Sequence, residues 1–416
     1  MDPVSRRSVI AAAAAGTVAT AAAANAASFG NPDEPPQGRI NTGGNPSSFT
    51  DPGPQNPSLS SEFPGAFSPP ATDAGDMPMF WASFNNAPRR ILNGGWARQV
   101  TQSDFQIAEE ISGVNMRLIR GGIRELHWHQ AAEWGYVSRG VVRVTTVDPA
   151  GRANVEDIGE DGLWYFPTGL PHSLQGIGED GAEFILAFDD GRQTEYNTLL
   201  LSDWLAHTPP DILAQNFNVP VETFSGLPLH QLYIFPGQMP GALADERAQV
   251  QSVGQIPNPS TFSLGSMPPT RETAGGEARI ADSHNFKASL TIAAALVVVH
   301  PGGLREMHWH PNADEWQYYI AGQGEMTVFN VGPRAVTQNF RPGDIGYVKK
   351  SLGHYIKNTG GTDLKFLEIF RSDRFEDISL SDWLAHTPRE LVAQHLNVDP
   401  SVIAQFPSNK PVILPG

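Results

Sequence analysis

Two stretches of this chain carry histidines and a glutamate at a spacing that could hold a metal ion. Residues 124–134 read RELHWHQAAEW, residues 305–316 read REMHWHPNADEW, and each stretch is followed by a further histidine, in LPHS and in LGHY. Side chains at i and i+2 of a β-strand point to the same face, so each His-x-His pair would enter one pocket. The candidate metal ligands are His127, His129, Glu133 and His172 in the first copy and His308, His310, Glu315 and His354 in the second.

Three imidazoles and one carboxylate limit the metals that such a pocket would bind. They leave open positions on an octahedral ion, which favours a catalytic over a structural site. The chain has no cysteine, so thiolate ligands, disulfides and a cysteine nucleophile are excluded. The ligand set fits Mn(II), Fe(II) or Zn(II) better than copper, and the residues alone do not choose among these three. A strand histidine satisfied by hydrogen bonds is the alternative for one His-x-His pair, but two matching copies favour metal.

The repetition extends beyond the histidines. The string SDWLAHTP occurs at 202–209 and again at 381–388. A repeat of this length is typical of duplicated domains rather than of a solenoid. A chain of 416 residues also has room for two or three domains.

The apolar runs within each copy are short, rich in β-branched and aromatic residues, and bounded by turns. The runs VNMRLI, VVRVTTV, LWYFP and EFILAF in the first copy, and ALVVV, EMTVF, DIGYV and KFLEIF in the second, predict strands. Each copy then ends in one predicted helix, starting at about Ser202 and Ser381, where the serine would be the N-cap. The predicted fold class is all-β, with two tandem jelly-roll β-barrels, each followed by a short helical segment.

Composition divides the chain into five segments. Residues 1–26 have the pattern of an export signal, because Arg6 and Arg7 precede an alanine-rich apolar run and a small-residue cleavage site. The paired arginines predict the twin-arginine route and a periplasmic or secreted bacterial protein, with an ordinary secretory signal as the alternative. The other segments are a Pro/Gly/Ser-rich arm at 27–79, a first barrel domain at 80–251, a linker at 252–276 and a second barrel domain at 277–416.

The net charge of −16 argues against nucleic acid or an anionic membrane surface as a partner. The apolar run near the N-terminus is too short for a comfortable membrane span. A small anion would need a strong local cationic site, because the overall field of the protein repels it.

The ligand sets resemble the two cupin motifs. The first motif is matched by Gly121-x5-His127-x-His129-x3-Glu133-x6-Gly140 and by Gly302-x5-His308-x-His310-x4-Glu315-x6-Gly322. The second is matched by Pro167-x-Gly169-x2-His172 and by Gly343-x5-Lys349-x-Ser351-x2-His354-x3-Asn358. Asp161-Gly162 stands where the motif expects Gly-Asp, and Lys349 and Ser351 replace the usual Pro and Gly. These departures fall at turn positions and concern loop shape rather than the ligands.

Longer phrases resemble the bicupin oxalate decarboxylases, over roughly residues 80–400. They include GVNMRL, RELHWH, LWYFP-x-GLPHS, DWLAHTP, ADS-x-NFK, REMHWHPN and FLEIF. The resemblance implies a manganese ion, Mn(2+), in each barrel, hence two per chain. It implies that oxalate, a small dicarboxylate, is split to formate and carbon dioxide, with dioxygen as a catalytic requirement rather than a consumed oxidant. It also implies a hexamer in which arms and helices are exchanged between subunits.

Arg124 and Arg305 match the arginines that polarise the substrate in this family. A dianion bound at the metal needs a cation at its distal carboxylate, and a guanidinium offers a bidentate fork. Strict period-two alternation would place Arg124 opposite His127, so a bulge or strand end near Gly121-Gly122 must re-aim it. The alternative is an arginine at the rim in a surface ion pair.

The two copies differ in the loop before the SDWLAHTP string. Residues 189–201 form this loop in the first copy and only residues 371–380 in the second, so the first is longer by three residues, which fall in the stretch Arg192–Thr198. An enlarged loop at a barrel mouth is a candidate lid. By resemblance Glu195 is the proton donor of this lid, and Glu368 matches a further family glutamate near the second metal. The alternatives are a solvated surface glutamate for Glu195 and a structural role for Glu368.

Two other functions stay open at this point. An oxalate oxidase would make carbon dioxide and hydrogen peroxide from the same complex, and the unusual TEYNT wording around Glu195 leaves this open. A non-catalytic bicupin storage or binding protein is the alternative of a different class, which two intact ligand sets disfavour. We expect His207 and His386 to be structural, and the tryptophans of the two ligand stretches to pack the barrels.

Overall fold

The strands of this protein build two antiparallel β-barrels that follow one another along the chain. The computed structural model describes residues 56–66, 69–250 and 253–416. The predicted export signal and the first part of the predicted arm lie outside these residues. No helix within the described ranges is long and apolar enough to cross a membrane.

The strands are short, as the turn-bounded runs predict. The first thirteen are β1 (Trp81–Ser83), β2 (Arg90–Leu92), β3 (Gly95–Val100), β4 (Ser112–Leu118), β5 (Gly122–Trp128), β6 (Glu133–Gly140), β7 (Val142–Val147), β8 (Ala153–Ile158), β9 (Leu163–Phe166), β10 (His172–Gly176), β11 (Ala182–Phe188), β12 (Leu199–Leu200) and β13 (Ile234–Pro236). The others are β14 (Thr261–Phe262), β15 (Arg271–Thr273), β16 (Gly276–Ala281), β17 (Ala293–Val299), β18 (Leu304–Trp309), β19 (Glu315–Ala321), β20 (Gly324–Asn330), β21 (Arg334–Phe340), β22 (Asp344–Val348), β23 (His354–Asn358), β24 (Leu364–Phe370), β25 (Ile378–Ser379) and β26 (Ile413–Leu414).

The helices are fewer and lie mostly after the barrels. They are α1 (Pro57–Glu62), α2 (Leu201–Ala206), α3 (Pro210–Phe217), α4 (Leu243–Val250), α5 (Leu380–Ala385), α6 (Arg389–Leu396) and α7 (Pro400–Ile403). The all-β fold class with two tandem barrels and short helical segments is therefore confirmed.

Each barrel consists of two facing sheets. In the first barrel the strand orders are β14-β9-β6-β11-β4-β3-β2 and β12-β5-β10-β7-β8, with β13 also paired to β5. In the second they are β1-β22-β19-β24-β17-β16-β15 and β21-β20-β23-β18-β25, with β26 paired to β18. The orders match strand for strand, as expected of a duplicated domain.

The two barrels exchange their outermost strands. Strand β1 precedes the first barrel in sequence but pairs with β22 of the second, and β14 precedes the second barrel but pairs with β9 of the first. Between the barrels, Trp134 and Tyr136 from the first share one buried cluster with Trp316 and Tyr347 from the second. Exchanged edges and a shared aromatic core make the two barrels one packed unit.

The prediction of one serine-capped helix per copy is wrong in two respects. Several short helices follow each barrel, and the N-caps of α2 and α5 are Leu200 and Ser379, each two residues before the predicted serine. Only α5 has a serine cap, in which the Ser379 side chain accepts a hydrogen bond from the backbone N of Asp382. Ser202 instead donates from its backbone N and its Oγ to the Glu125 carboxylate, at 3.0 and 3.1 Å. The repeated serine therefore joins the helix to a buried glutamate of the ligand strand.

The departures from the second cupin motif have local structural reasons. Asp161 occupies the left-handed region with φ 61°, which the motif's glycine would adopt freely and which Asp tolerates better than most residues. Its carboxylate accepts two hydrogen bonds from Lys365 of the second barrel, at 2.8 and 2.9 Å. Ser351 likewise has φ 67°, and Lys349 pairs with Glu109 of the first barrel at 2.7 Å. Two of the substituted turn positions, Asp161 and Lys349, thus carry contacts between the barrels.

Candidate metal centres

The first candidate metal centre lies inside the first barrel. Strand β5 supplies His127, the residue after its end is His129, and β6 and β10 begin with Glu133 and His172. His172 is the antiparallel partner of His127 across β5 and β10. All four side chains are buried, and one donor atom from each lies within 4.8 Å of the others.

The second centre repeats this arrangement from equivalent strands. His308 lies on β18, His310 follows its end, and Glu315 and His354 begin β19 and β23. These four donor atoms are also buried and within 4.8 Å of one another. The structure therefore brings together all eight residues that the sequence predicts as ligands, in two His3Glu metal sites.

The donor atoms fit a metal ion rather than each other. The Nε2 atoms of His129 and His172 lie 3.1 and 3.4 Å from Oε2 of Glu133 and converge on one point. These buried atoms lack a partner with hydrogen-bond geometry, and so do the equivalent atoms of the second centre. The other ring nitrogen, Nδ1, contacts the backbone. It lies 2.5 Å from the carbonyl oxygen of Glu125 in His127 and 2.8 Å from that of Leu170 in His172. Such contacts fix the tautomer that leaves Nε2 free for a metal.

In the first centre the environment favours the protonation states of His127 and Glu133 that metal binding requires. Burial, and next the charge of Arg124, lower the pKa of His127 well below its usual value. Burial alone would raise the pKa of Glu133, but His172 and His129 hold it below its usual value. Neutral imidazoles and an ionised carboxylate are the forms that bind divalent metals.

A β-bulge aims the arginines into the pockets. The pairing of β5 with β10 changes register between His127 and Arg124, which brings both side chains to the barrel interior. The same irregularity separates His308 from Arg305 in β18. The predicted position of the bulge near Gly121-Gly122 is therefore wrong by a few residues. Arg124 and Arg305 are both fully buried, so neither is an arginine at the rim.

In the first centre Arg124 pairs with Glu195 of the long loop. Arg124 Nη2 lies 3.0 Å from Glu195 Oε2, which also accepts a hydrogen bond from Tyr233 Oη at 2.8 Å. The guanidinium stacks 4.2 Å from the centroid of the Tyr233 ring and donates through Nη1 to the Tyr233 carbonyl oxygen. Arg124 Nε and Glu195 Oε1 are buried without a hydrogen-bond partner. Glu195 is 6% exposed, so it is not a solvated surface glutamate.

The loop that carries Glu195 is folded over the first centre. The backbone N and the Oγ1 of Thr194 both donate to Asn197 Oδ1, at 2.9 and 3.2 Å, and close the loop into a turn. Gln99 accepts a hydrogen bond from the backbone N of Glu195 at 2.9 Å. Next to Glu195, the Tyr196 side chain is 75% exposed. The loop thus presents one acid to the pocket and its neighbour to solvent.

In the second centre Arg305 is neutralised by two acids. Its Nε lies 3.0 Å from Glu368 Oε1 and its Nη2 lies 3.1 Å from Asp377 Oδ2, while Lys410 also pairs with Asp377. Burial raises the pKa of Glu368, although Arg305 opposes this. A cavity of about 500 Å³ adjoins the cluster and is lined by Arg305, Glu368, Asp377 and Lys410 among others. The place of Glu368 is taken by Leu186 in the first barrel, since each occupies the same position on the equivalent strands β24 and β11.

Sequence reasoning missed Tyr233 and Asp377. Tyr233 lies just before the three-residue strand β13, far in sequence from every ligand, and no motif marks it. Asp377 lies in the shorter loop of the second copy, at the position of Thr198 in the first, because both precede the two-residue strand that pairs with the ligand strand. Aligning the two loops from their C-terminal ends could have found it.

The remaining predicted residues lie away from the pockets. His207 and His386 follow the last turns of α2 and α5, where each Nδ1 lies near a carbonyl oxygen of the same helix. Trp128 and Trp309 pack on the outside of the barrels against Trp204 and Trp383, with ring centroids 5.6 and 5.7 Å apart.

Comparisons with known proteins agree with this architecture. The profile of the cupin family, described as "Cupin", matches residues 83–224 and 262–404. The chain is 49% identical over 345 residues to the oxalate decarboxylase OxdC of Bacillus subtilis (strain 168), covering 83% of this chain and 89% of that protein. It is 36% identical over 389 residues to an oxalate decarboxylase of Arthroderma benhamiae, covering 87% and 90%.

Solved structures show the same similarity. A structure of the Bacillus subtilis oxalate decarboxylase, in work on the Mn(II) centres of that enzyme, superposes with a TM-score of 0.85 at 46% identity, covering 87% of this chain and 96% of that one. A second, determined at pH 4.6, superposes with a TM-score of 0.84 at 47% identity, covering 87% and 94%. Two cupin barrels with a His3Glu site in each, together with relatives matched over most of their length, assign the chain to the cupin superfamily and, within it, to the bicupin oxalate decarboxylases.

Proposed function

We propose that this protein is a manganese-dependent oxalate decarboxylase that converts oxalate to formate and carbon dioxide and requires dioxygen. Relatives that cover most of the chain are named oxalate decarboxylases, and one is described as having Mn(II) centres. The observation that carries the proposal is the pairing of Arg124 with Glu195 beside the first His3Glu site. It provides a cation for a carboxylate and an acid for the proton in one buried pocket.

We propose further that the first barrel performs the reaction. Arg124 faces one acid, which lies on a loop, and its Nε is buried without a partner, as is Nη1 of Arg305. The two arginines therefore differ in the acids that surround them rather than in having a free donor. Arg305 is already neutralised by Glu368 and Asp377, and both of these acids would repel a dianion. A guanidinium recognises a carboxylate through two parallel hydrogen bonds, which Arg124 can offer once Glu195 moves.

The reaction needs one proton at carbon. Decarboxylation breaks the carbon–carbon bond, releases one carboxylate as carbon dioxide and leaves the bonding electron pair on the other carbon. A proton must then form the C–H bond of formate, so each oxalate dianion consumes one proton. A positioned carboxylic acid can deliver it, and Glu195 Oε1 is buried without a partner at the pocket. The exposed Tyr196 beside it places this part of the loop next to solvent, from which Glu195 can be reprotonated.

The other parts of the site would polarise the substrate, position Glu195 and Arg124, and exclude water. A bound manganese ion would supply Lewis-acid polarisation of the substrate and the one-electron chemistry for which dioxygen is required. Tyr233 holds Glu195 and Arg124 together through its hydroxyl and its ring. The folded loop covers the pocket, which excludes water and strengthens the charge interactions inside.

The direct test is an assay of purified, manganese-loaded protein with oxalate, in which formate and hydrogen peroxide are quantified together. We expect formate and carbon dioxide in equal amounts, with little hydrogen peroxide, and no turnover when dioxygen is removed. An oxalate oxidase would instead release both carbons as carbon dioxide and pass two electrons and two protons to dioxygen as hydrogen peroxide. A storage or binding protein would bind the metal and give neither product.

We also propose export by the twin-arginine route and assembly into a hexamer. Arg6 and Arg7 before the apolar run support export. Trp204 and Trp383, large side chains that are 61% and 54% exposed on equivalent helices, support burial of both helices against another subunit. Sedimentation of the purified protein and fractionation of an Arg6→Lys/Arg7→Lys variant test the two proposals separately.

A further inference from the structure

The ligand glutamate of each centre has a second oxygen that faces away from the other ligands. In the first barrel Glu133 Oε1 accepts a hydrogen bond from Trp164 Nε1 at 2.8 Å. In the second, Glu315 Oε1 accepts one from Gln317 Nε2 at 2.7 Å. The four side chains are fully buried. The same oxygen thus receives a hydrogen bond from an indole in one barrel and from an amide in the other.

The two donors lie on different strands of equivalent strand pairs. Trp164 on β9 faces Gly135 on β6, and in the equivalent pair Gln317 on β19 faces Gly346 on β22. A Cβ on Gly135 would lie 2.0 Å from Trp164 Cε2, and one on Gly346 would lie 2.6 Å from Gln317 Oε1. Each barrel therefore has room for one donor only, and glycine on the facing strand provides that room.

The amide donor depends on a third residue. Tyr319 Oη donates to Gln317 Oε1 at 2.8 Å, which selects the amide orientation that turns Nε2 towards Glu315. The first barrel has Val137 at the position of Tyr319, since both residues oppose equivalent phenylalanines on β11 and β24. An indole N–H is a donor only and needs no such selection. Gly135, Val137 and Trp164 in one barrel thus correspond to Gln317, Tyr319 and Gly346 in the other.

We propose that these donors tune the two metal centres separately, with Trp164 as the positioning residue of the first and Gln317, oriented by Tyr319, as that of the second. A hydrogen bond to the outer oxygen fixes the direction of the carboxylate and draws electron density from the oxygen that binds the metal. Loss of such a partner typically lowers metal affinity by about 10- to 100-fold. The inference rests on the two His3Glu sites and not on the proposed reaction with oxalate.

The first experiment measures metal affinity at each centre in the full-length protein. Manganese-loaded protein is titrated with a chelator, and bound manganese is followed by elemental analysis and by its electron paramagnetic resonance spectrum. Trp164→Phe should weaken binding of one ion by about 10-fold or more, Gln317→Met should weaken the other, and combining the two changes should weaken both. Tyr319→Phe should act on the same ion as Gln317→Met, with a smaller effect.

Trp134→Phe and Trp316→Phe are matched controls. Both indoles are fully buried, but their Nε1 atoms have no hydrogen-bond partner, so these changes alter packing without removing a donor to a ligand. We expect both controls to leave the affinities within about twofold. Equal weakening by Trp134→Phe and Trp164→Phe would assign the effect to packing and overturn the proposal. So would unchanged affinity and an unchanged resonance spectrum in a Trp164→Phe protein that unfolds at the wild-type temperature.

The second experiment transplants the donor. Trp164→Gly alone removes the indole and should weaken the first centre, whereas Gly135→Gln and Val137→Tyr together with Trp164→Gly copy the arrangement of the second barrel into the first. We expect the triple variant to regain at least half of the lost affinity on a logarithmic scale and to shift the resonance signal of the first ion towards that of the second. A triple variant no better than Trp164→Gly, with the fold retained by circular dichroism, would contradict the proposal. Neither experiment uses oxalate, so its outcome is independent of the proposed activity.

Discussion

At the scale of single residues, the two centres differ most in what neutralises the buried arginine. Glu195 reaches Arg124 from the loop between β11 and β12, while Glu368 reaches Arg305 from the barrel strand β24. Leu186 occupies the place of Glu368 in the first barrel, so no fixed acid there competes with a substrate for the guanidinium. Identical ligand sets therefore stand in different electrostatic surroundings.

Tyr233 should matter to catalysis because its hydroxyl donates to Glu195 Oε2. Tyr233→Phe removes a hydrogen bond to a carboxylate, worth roughly 1.5–3 kcal/mol, and should slow formate production by about 10-fold or more. The bound manganese should remain at two ions per chain, since Tyr233 is not a ligand. Tyr196→Phe is the control, because that side chain is exposed and should leave the rate unchanged. Equal rates for the wild-type and Tyr233→Phe proteins would show that the Tyr233 hydroxyl does not contribute to catalysis.

Residue spacing predicted the ligands but not their partners. His127, His129 and Glu133 follow from a short local motif whose geometry is set by strand periodicity. Tyr233 approaches its arginine through tertiary packing, so nothing in the neighbouring sequence marks it. Asp377 could be found only by aligning the two loops from their C-terminal ends. The resemblance to a family supplied Glu195, and the structure supplied its contacts with Arg124 and Tyr233.

At the scale of elements, a bulge and a loop bring Arg124 and Glu195 to the pocket, which regular strand alternation would not do. The bulge in β5 turns Arg124 to the same interior as His127, and its position could not be read from alternation, because period-two patterns contain no sign of an extra residue. The length difference between the two loops was visible in the sequence. The closed turn in the longer loop depends on Thr194 and Asn197, two side chains that favour turns.

Asn197→Ala should loosen this loop. The change removes the acceptor for both the backbone N and the Oγ1 of Thr194, so the loop should open more often and Glu195 should be less well placed. We expect faster hydrogen–deuterium exchange over residues 192–198 and a larger share of hydrogen peroxide among the products. Asn330→Ala is the matched control, since Asn330 also caps a turn, in a hairpin of the second barrel. Unchanged exchange and product ratio in Asn197→Ala would show that the turn does not hold the loop.

At the scale of the whole molecule, the two barrels are joined where the family motif is broken. Asp161 and Lys349 each form an ion pair across the barrel interface, in addition to the exchanged strands β1 and β14. The duplication and the barrel class were predictable from repeated strings and short apolar runs. The strand exchange was not, because two or three residues of strand carry no signal of which sheet they join.

Substitutions of Asp161 should separate the contribution of its ion pair to the free energy of unfolding from that of its backbone conformation. Asp161→Ala loses the pair with Lys365 and places a Cβ residue that lacks a local hydrogen bond at φ 61°, a conformation that costs roughly 1–2 kcal/mol. Asp161→Gly loses the same carboxylate contacts, to Lys365 and to the Tyr136 hydroxyl, but not the backbone cost, and should recover about 1 kcal/mol of the free energy of unfolding relative to Asp161→Ala. Urea unfolding monitored by tryptophan fluorescence measures the difference, and Lys365→Met provides the loss of the pair without a backbone change. Equal stabilities of the Ala and Gly variants would contradict the role of the left-handed conformation.

Glu195→Gln is the decisive variant, because we propose that the first barrel makes formate with Glu195 as proton donor. This change keeps the shape of the side chain but removes the acid, so formate production should fall by about 100-fold or more while two manganese ions stay bound. The share of hydrogen peroxide should rise as formate falls, because oxidation is the remaining outcome for the unprotonated carbon. Glu368→Gln is the matched change in the second barrel and should cost less activity without shifting the product ratio. Undiminished formate from Glu195→Gln, together with its loss in Glu368→Gln, would instead place catalysis in the second barrel.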